Sequence, residues 1–429
     1  MRRLIPVLSA YLASSGSLAA ASAAQLVTFA MLARSLGPIE FGLFVQFTAI
    51  TSIAIQLCGL GASDCLVRRV SRDAGSYREM LGHNLLLTVG SGSFLVVLGL
   101  AVLPFWLAVS PDPLVNGSAI ALLLVTNIVV VRGILLAESI FLGHTRFADA
   151  NRAVVGYAVA RTAIAAVACY GLGTTTLAQW ALWQFLGNAV VLLVYVWWLR
   201  GLGRPRFVIV TEEVRLGILF ASQFAARALR QNADLFVLGL VAPIAVVGSY
   251  GVARRILDSS YLAIDAMNRL IYATFARTSM TGLHEAMPSA RRAVVAAFAL
   301  GCVTAAILFL AAPYLPLIFG REYESLTYFV RALSGVIILV AIWSVAIDLL
   351  GASGHQGARA AVINGISLLG AGLVAWATWI APPQGTILAF YVIEGCTVVA
   401  AWFVLVALAR RSRAVAERDF ASDDRLGPA

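Results

Sequence analysis

The sequence contains no lysine and few charged residues of any kind. All 31 basic residues among its 429 are arginine, and charged residues make up only 12% of the chain. Soluble domains carry about 25% charged residues, so this chain cannot cover a water-facing surface of its own size. Hydrophobic residues account for 61% of it and the mean hydropathy is +0.89. The composition excludes a soluble globular protein and indicates a polytopic α-helical membrane protein.

Signatures of enzymatic chemistry are also missing. Without lysine there is no Gly-x-x-x-x-Gly-Lys loop, and the chain has no Gly-x-Ser-x-Gly elbow and no acidic pair on a loop. The five cysteines lie inside apolar runs without metal-ligand spacing; they are Cys58, Cys65, Cys169, Cys302 and Cys396. We therefore expect no enzyme, no cofactor and no metal. The arginines punctuate apolar runs instead of forming a basic patch, so nucleic acid is not an expected partner either.

The hydropathy pattern predicts about twelve transmembrane helices. A bilayer span needs about 20 mostly apolar residues, and breakers such as Gly37-Pro38 and Pro382-Pro383 separate runs of this length. The predicted spans are residues 10–34, 41–65, 84–108, 117–141, 153–172, 175–199, 216–240, 249–272, 293–313, 326–350, 359–380 and 385–409.

Arginine distribution predicts the orientation. Only Arg34 and Arg321 fall on one side of this topology, eight arginines fall within spans and the other 21 lie on the opposite side. Because cytoplasmic loops carry the excess of basic residues, we expect both termini in the cytoplasm. The protein would be a multi-pass membrane protein.

A weak internal repeat predicts two six-helix lobes. The first hairpin turn, residues 36–44, and the turn of residues 241–250 both place Pro just after a span and Gly before an aromatic residue. Repeats related by an axis along the membrane normal are common in transporters, with substrate between the halves. We expect lobes at residues 1–205 and 206–409 around a central cavity, followed by a disordered cytoplasmic tail at residues 410–429.

Ionisable residues inside the seventh and eighth spans are the candidate binding residues. An ionisable residue at mid-bilayer costs about 2.5–3.5 kcal/mol on insertion scales and marks function by default. Helical spacing puts those of each span on one face: Arg227, Arg230 and Asp234 in the seventh, Arg254, Asp258 and Asp265 in the eighth.

Two interpretations of these stripes remain open. The arginines can line a hydrated cavity and hold an anionic group, since bidentate guanidinium geometry matches phosphate. Alternatively, Arg227 and Arg230 pair with Asp258 and Asp265 and lock the two helices together. Arg132 and Glu138 of the fourth span lie about 120° apart on a helical wheel and share no stripe. Arg161, Asp348 and Glu394 are isolated, and for each of these three we expect neutralisation or a cross-helix partner.

The first hairpin turn resembles a known family. Residues 32–44 read LARSLGPIEFGLF, similar to the signature L-A-R-x-L-G-P-x-x-F-G-x-F/Y of Wzx-type polysaccharide or O-antigen flippases in the MOP superfamily. The matching turn residues are Arg34, Gly37, Pro38 and Gly42. Residues 247–255, VGSYGVARR, resemble a second family stretch, and the layout of spans agrees along the whole chain.

This resemblance implies a MATE-like fold of two lobes around a cavity, and a function. The family's cargo is an undecaprenyl-pyrophosphate-linked oligosaccharide, moved from the cytoplasmic to the periplasmic leaflet by alternating access for lipopolysaccharide, capsule or exopolysaccharide synthesis. It also implies membrane lipids, a polysaccharide polymerase and a chain-length regulator as partners. By the resemblance, Arg227, Arg230 and Arg254 become candidates for holding pyrophosphate or acidic sugars. Asp234, Asp258 and Asp265 become candidates for ion coupling or for setting those arginines.

Two other functions remain as alternatives. A cation-coupled multidrug antiporter of MATE type would share this architecture, but cavity arginines would repel cationic drugs. An integral-membrane polymerase or glycosyltransferase is the third possibility. The outer loops are short for it, the longest being about Tyr314–Ser325.

Overall fold

The computed structural model describes residues 4–280 and 282–423, and within them it is helical, without a β-strand. Its helices are α1 (Leu4–Leu57), α2 (Ala62–Val70), α3 (Tyr77–Val102), α4 (Pro113–Leu124), α5 (Val131–Gly143), α6 (Phe147–Ala166), α7 (Leu177–Leu199), α8 (Thr211–Val241), α9 (Ile244–Thr278), α10 (Leu283–Ala311), α11 (Leu315–Phe319), α12 (Leu326–Ser334), α13 (Val336–Ala352), α14 (Gln356–Ile380) and α15 (Gln384–Asp423).

Nine segments of the described chain are long and apolar enough to cross a membrane. They are Ala19–Leu57, Ala74–Phe105, Pro113–Gly143, Phe147–Gly171, Leu177–Leu202, Leu283–Phe319, Leu326–Ala352, Gln356–Ile380 and Gln384–Ala414. The first of these segments covers parts of the predicted spans 10–34 and 41–65, which are joined by the kink at Gly37. Helices α8 and α9 have 31 and 35 residues, which is also enough, but their charged residues keep them out of this set. These helices confirm the predicted all-helical membrane fold, and the number of about twelve spans stays a prediction.

Gly37 divides α1 into two arms, as the Gly37-Pro38 breaker predicts. Gly37 has φ 72° and ψ 173°, a region of backbone conformation that is essentially restricted to glycine. Pro38 follows with its fixed φ and no amide hydrogen, which suits the first position of a new helical arm. The family-like turn is therefore a structural corner at the end of the first arm, and Arg34 is exposed beside it.

The two turns of the internal repeat pack against each other. A Cβ atom on Gly42 would collide with the carbonyl oxygen of Ile244, and one on Gly248 would lie 2.5 Å from the carbonyl oxygen of Pro38. Each turn thus presents its glycine to the backbone of the other. This reciprocal contact is the packing that the repeated Pro and Gly positions permit.

The chain divides into two compact units. The first consists of Met1–Val252 with Leu315–Leu326, and the second of Ala253–Tyr314 with Thr327–Ala429. In the first unit, α1 packs on α6 and α8; in the second, α13 packs on α10 and α15. The boundary between units falls within α9, whereas the repeat argues for lobes that meet near residue 205. That lobe boundary stays a prediction.

Helix α15 extends into the segment expected to be a disordered tail. It ends at Asp423, residues 424–429 lie outside the described part, and the disordered tail at residues 410–429 stays a prediction. Residues 410–423 contain neither Gly nor Pro, the two residues that most strongly disfavour a helix. Nothing in that stretch therefore ends the helix at the membrane surface.

Candidate functional site

An ion pair fixes the N-terminal end of α8 to α2. Glu213, in its first turn, accepts hydrogen bonds from Nη2 of Arg68 at 2.8 and 3.0 Å, and Nη1 of Arg69 lies 3.5 Å from it. The Glu213 side chain is 7% exposed. Beside it, Gly217 and Gly61 bring the backbones of α8 and α2 into contact without intervening side chains. The start of α8, and with it the phase of its polar stripe, is thereby fixed.

Along α8 the predicted stripe runs from an exposed to a buried environment. Arg227 is exposed, Arg230 is half-buried and Asp234 is fully buried. Among the described residues of its own unit, Arg227 makes no hydrogen bond or ion pair. The three side chains share a face, but they do not share an environment.

Asp234 is held in a polar contact within the α8–α9 hairpin. Tyr250 Oη donates a hydrogen bond of 2.8 Å to Asp234 Oδ2, and both residues are 0% exposed. Unpaired burial of a carboxylate is costly, so this contact stabilises the hairpin. Because Asp234 is buried in this contact, it is placed to stabilise the hairpin and not to contact a cargo.

In the second unit, Arg254 is buried between a carboxylate and an aromatic ring. Its Nη1 lies 3.0 Å from Asp258 Oδ1, one helical turn further along α9, and its Cζ lies 4.5 Å from the ring centroid of Phe390 on α15. Arg254 is 5% exposed. Asp258 and Asp265 are exposed on the same helix. The structure thus joins Arg254 to Asp258 and leaves both carboxylates accessible.

The sequence comparison identifies the family. Residues 10–264 match the family described as polysaccharide biosynthesis protein, which covers more than half of the chain. The chain belongs to the polysaccharide biosynthesis protein family. A comparison with curated proteins found no match.

Solved structures show that this family member has the fold of MOP superfamily transporters. An inward-facing multidrug resistance MATE family transporter matches with a TM-score of 0.72 and 17% identity over 92% of this chain and 96% of that one. The MATE multidrug transporter DinF-BH gives a TM-score of 0.64 and 16% identity over 93% and 94%. A MOP superfamily transporter from Pyrococcus furiosus Vc1 matches with a TM-score of 0.60 and 17% identity over 94% of this chain and 96% of that one. Its binding pocket is described as having reverse polarity, which suggests a different function for that protein.

These findings confirm the family resemblance and the fold class that the sequence predicts. The protein is a multi-pass membrane protein of the polysaccharide biosynthesis protein family with the fold of a MOP superfamily transporter. Its six predicted site residues remain predictions as cargo-binding residues.

The structure also brings together residues that the sequence left scattered. Glu138 on α5 and Arg161 on α6 line one pocket of the first unit, together with Gln25 and Thr28 on the first arm of α1. The sequence pattern shows them as isolated charges and a mild polar stripe, because they lie on three different helices and α1 is far along the chain from α5 and α6. The nearest local signal is Tyr157, one turn before Arg161, whose ring centroid lies 5.7 Å from the arginine Cζ.

Two other charged residues, Glu394 and Arg132, lie against residues of a different helix or turn. Glu394 on α15 accepts a hydrogen bond of 2.7 Å from Nε1 of Trp343 on α13, which agrees with the expected cross-helix partner. Arg132 on α5 lies beside Gly59, whose added Cβ would be 3.6 Å from the arginine Nε. It faces a different neighbour from Glu138, as the helical spacing of the two residues predicts.

Proposed function

We propose that this protein is a flippase for lipid-linked oligosaccharides. It moves undecaprenyl-pyrophosphate-linked repeat units from the cytoplasmic to the periplasmic leaflet by alternating access, and so supplies O-antigen, capsule or exopolysaccharide assembly. The family supports the pathway and the fold supports transport.

The observation that carries the cargo assignment is the environment of Arg227. It lies near the middle of α8, a helix of membrane-spanning length, and it is exposed, without an ion pair among the described residues of its unit. Ionisable residues at such depth face a protein interior or a wet cavity. An accessible guanidinium there is suited to an anionic group that passes through the membrane, and pyrophosphate is such a group.

Arg254 supports the same assignment from the second unit. Its guanidinium is oriented by Asp258 and by the ring of Phe390, so its position is fixed before a ligand arrives. Preorganisation of this kind reduces the side-chain entropy lost on binding. Together Arg227, Arg230 and Arg254 provide cationic positions on two successive helices.

The MATE-type alternative is favoured by the structural neighbours, several of which are multidrug transporters. Arginines on α8 and α9 argue against it, because they would repel cationic drugs. The P. furiosus transporter, with its pocket of reverse polarity, is the neighbour whose description best suits an arginine-bearing chain. We therefore place this protein with the carriers of anionic cargo.

The proposal extends to location and partners. We propose that both termini lie in the cytoplasm, which the arginine bias of the loops supports, and that the protein lies in the bacterial inner membrane, which the family supports. A polymerase and a chain-length regulator would act on the flipped repeat units.

Mass spectrometry of undecaprenyl-linked lipids from cells lacking the protein tests the function. Complete repeat units should accumulate on undecaprenyl pyrophosphate while surface polysaccharide is lost. Truncated units would indicate a glycosyltransferase instead. An unchanged lipid pool with normal surface polysaccharide, in a strain without a second flippase, would favour the antiporter.

A further inference from the structure

The pocket in the first unit has the size of a site for one small ring. Its volume is about 210 Å³, and it lies between the first arm of α1, α5 and α6. Pockets for drug-sized ligands have about 300–1,000 Å³, so this one is too small for such a molecule. Three alanines, one on α1 and two on α6, leave the space open: Ala21, Ala153 and Ala158.

Three polar groups at this pocket have unused hydrogen-bonding capacity. Gln25, Glu138 and Arg161 line it, and among the described residues none of the three side chains makes a hydrogen bond or an ion pair. Arg161 only stacks on Tyr157. A carboxylate and a guanidinium therefore line the same pocket without neutralising each other. Unsatisfied groups of this kind are costly inside a membrane, which points to a ligand or water that satisfies them.

The wall that carries Arg161 is held in place by a chain of polar contacts. Tyr157 Oη donates to Asn188 Oδ1 at 3.1 Å, and Asn188 Nδ2 donates to the carbonyl oxygen of Gln184 at 2.7 Å. Gln184 Nε2 in turn donates to Asn127 Oδ1 at 2.9 Å, within a π-helical turn at residues 125–130. Such π-turns occur often at functional sites. The Tyr157 ring, and the arginine stacked on it, are thereby fixed.

The charges of the pocket define the class of its ligand. Glu138 repels an anion and Arg161 repels a cation, whereas a neutral ring with several hydroxyl groups can donate to the carboxylate and accept from the guanidinium. Gln25 can do both. Bare pyrophosphate, which the arginines of α8 and α9 suit, is disfavoured here by Glu138. A neutral sugar meets every requirement of size, hydrogen bonding and charge.

We infer that this pocket is a binding subsite for one neutral sugar ring of the cargo. The inference rests on the proposed function and deepens it, because it assigns the sugar to this pocket and the pyrophosphate to the arginines of α8 and α9. Glu138, Arg161 and Gln25 are its polar contacts, and the three alanines define its volume.

The test is a binding titration of the full chain in lipid nanodiscs with three matched sugars. Glucose is neutral, glucuronate carries a carboxylate and glucosamine carries an ammonium group. Saturation-transfer NMR gives their affinities. We expect the wild-type protein to bind glucose more tightly than either charged sugar.

Single substitutions should shift this preference in opposite directions. Glu138→Gln should raise the affinity for glucuronate relative to glucose by about tenfold, and Arg161→Gln should do so for glucosamine, because each removes one repulsion. Ala158→Leu, which fills the pocket, should abolish binding of all three sugars. Ala299→Leu, on an exposed face of α10, is the matched control and should bind as the wild type does.

The outcomes separate this inference from the proposed function. Absence of sugar binding, unchanged preferences, or binding that survives Ala158→Leu would overturn the subsite. A change only in the pH dependence of translocation by Glu138→Gln, with sugar binding intact, would replace the subsite with a proton site. If repeat units still accumulate in cells lacking the protein, the flippase function stands in each of these cases. If repeat units do not accumulate in those cells, the flippase function is wrong, irrespective of the sugar-binding result.

Discussion

The hydroxyl of Tyr250 donates a 2.8 Å hydrogen bond to the carboxylate of Asp234, and both side chains are fully buried. Tyr250→Phe should therefore remove this hydrogen bond from a buried carboxylate, at a cost of about 1–3 kcal/mol in unfolding free energy. Thermal unfolding of the purified protein in detergent, followed by circular dichroism, measures the effect. Tyr314→Phe, at a residue 67% exposed, is the control. Equal stability of the two variants would show that the contact contributes nothing.

The close approach of the two repeat-related turns makes a second prediction. Gly248→Ala places a methyl group against the backbone of Pro38, and overpacking of this kind costs about 1–3 kcal/mol. Gly90→Ala, on α3 with nothing within 4 Å of the added atom, should leave stability unchanged or slightly higher. The same unfolding experiment compares the pair. A harmless Gly248→Ala would mean that the turns do not pack as described.

The N-terminal end of α8 depends on Glu213. Glu213→Gln removes the carboxylate that receives two hydrogen bonds from Arg68 and should lower the unfolding free energy by about 1–3 kcal/mol. Its neighbour Glu212 is exposed, so Glu212→Gln should be close to neutral. A double-mutant cycle with Arg68→Gln isolates the pair. A coupling energy of zero would show that other contacts hold α8.

The arginines of α8 distinguish cargo binding from helix locking. Arg227→Ala combined with Arg230→Ala should abolish export while the protein accumulates to nearly normal abundance in the membrane. Surface polysaccharide and immunoblots of membrane fractions measure the two effects. Arg291→Ala with Arg292→Ala removes two exposed arginines elsewhere and should change neither.

Two results would contradict this account of α8. If the Arg227 and Arg230 variant fails to accumulate, the arginines stabilise the fold by pairing. If it accumulates and exports at the full rate, the binding assignment is wrong.

The transmembrane helices could be predicted because the residues of each one are sufficient to define it. Every span must satisfy its backbone within its own helix, so an apolar run and its breakers already define it. Gly37-Pro38 marks a real corner for the same local reason. The sequence is less informative at the end of α15, because charge indicates solvation of residues 410–423 and does not by itself end a helix.

The candidate site was predictable in part. Helical spacing identifies which residues share a face of α8, but it carries no information about depth of burial. Arg227 and Asp234 are two turns apart on one stripe, yet the first is exposed and the second is enclosed by packing against Tyr250. The tyrosine belongs to the next helix, so only the tertiary structure shows the difference.

The pocket proposed to bind a sugar could not be predicted from the sequence, because it also depends on tertiary structure. Gln25, Glu138 and Arg161 come from three helices, with more than a hundred residues between the first and the second. No periodicity connects them, and each alone is an ordinary intramembrane polar residue. Packing of α1 against α6 and of α5 against α6 brings them together.

The most direct test of the central claim is translocation in vesicles that contain only this protein. Undecaprenyl-pyrophosphate-linked oligosaccharide, placed in one leaflet of a proteoliposome, is made accessible to an added glycosidase or lectin when it crosses to the other. We predict rapid exposure with the wild-type protein, and the rate of empty vesicles with the Arg227→Ala and Arg230→Ala variant. Exposure at the empty-vesicle rate with correctly folded wild-type protein, under a membrane potential and ion gradients, would contradict the account.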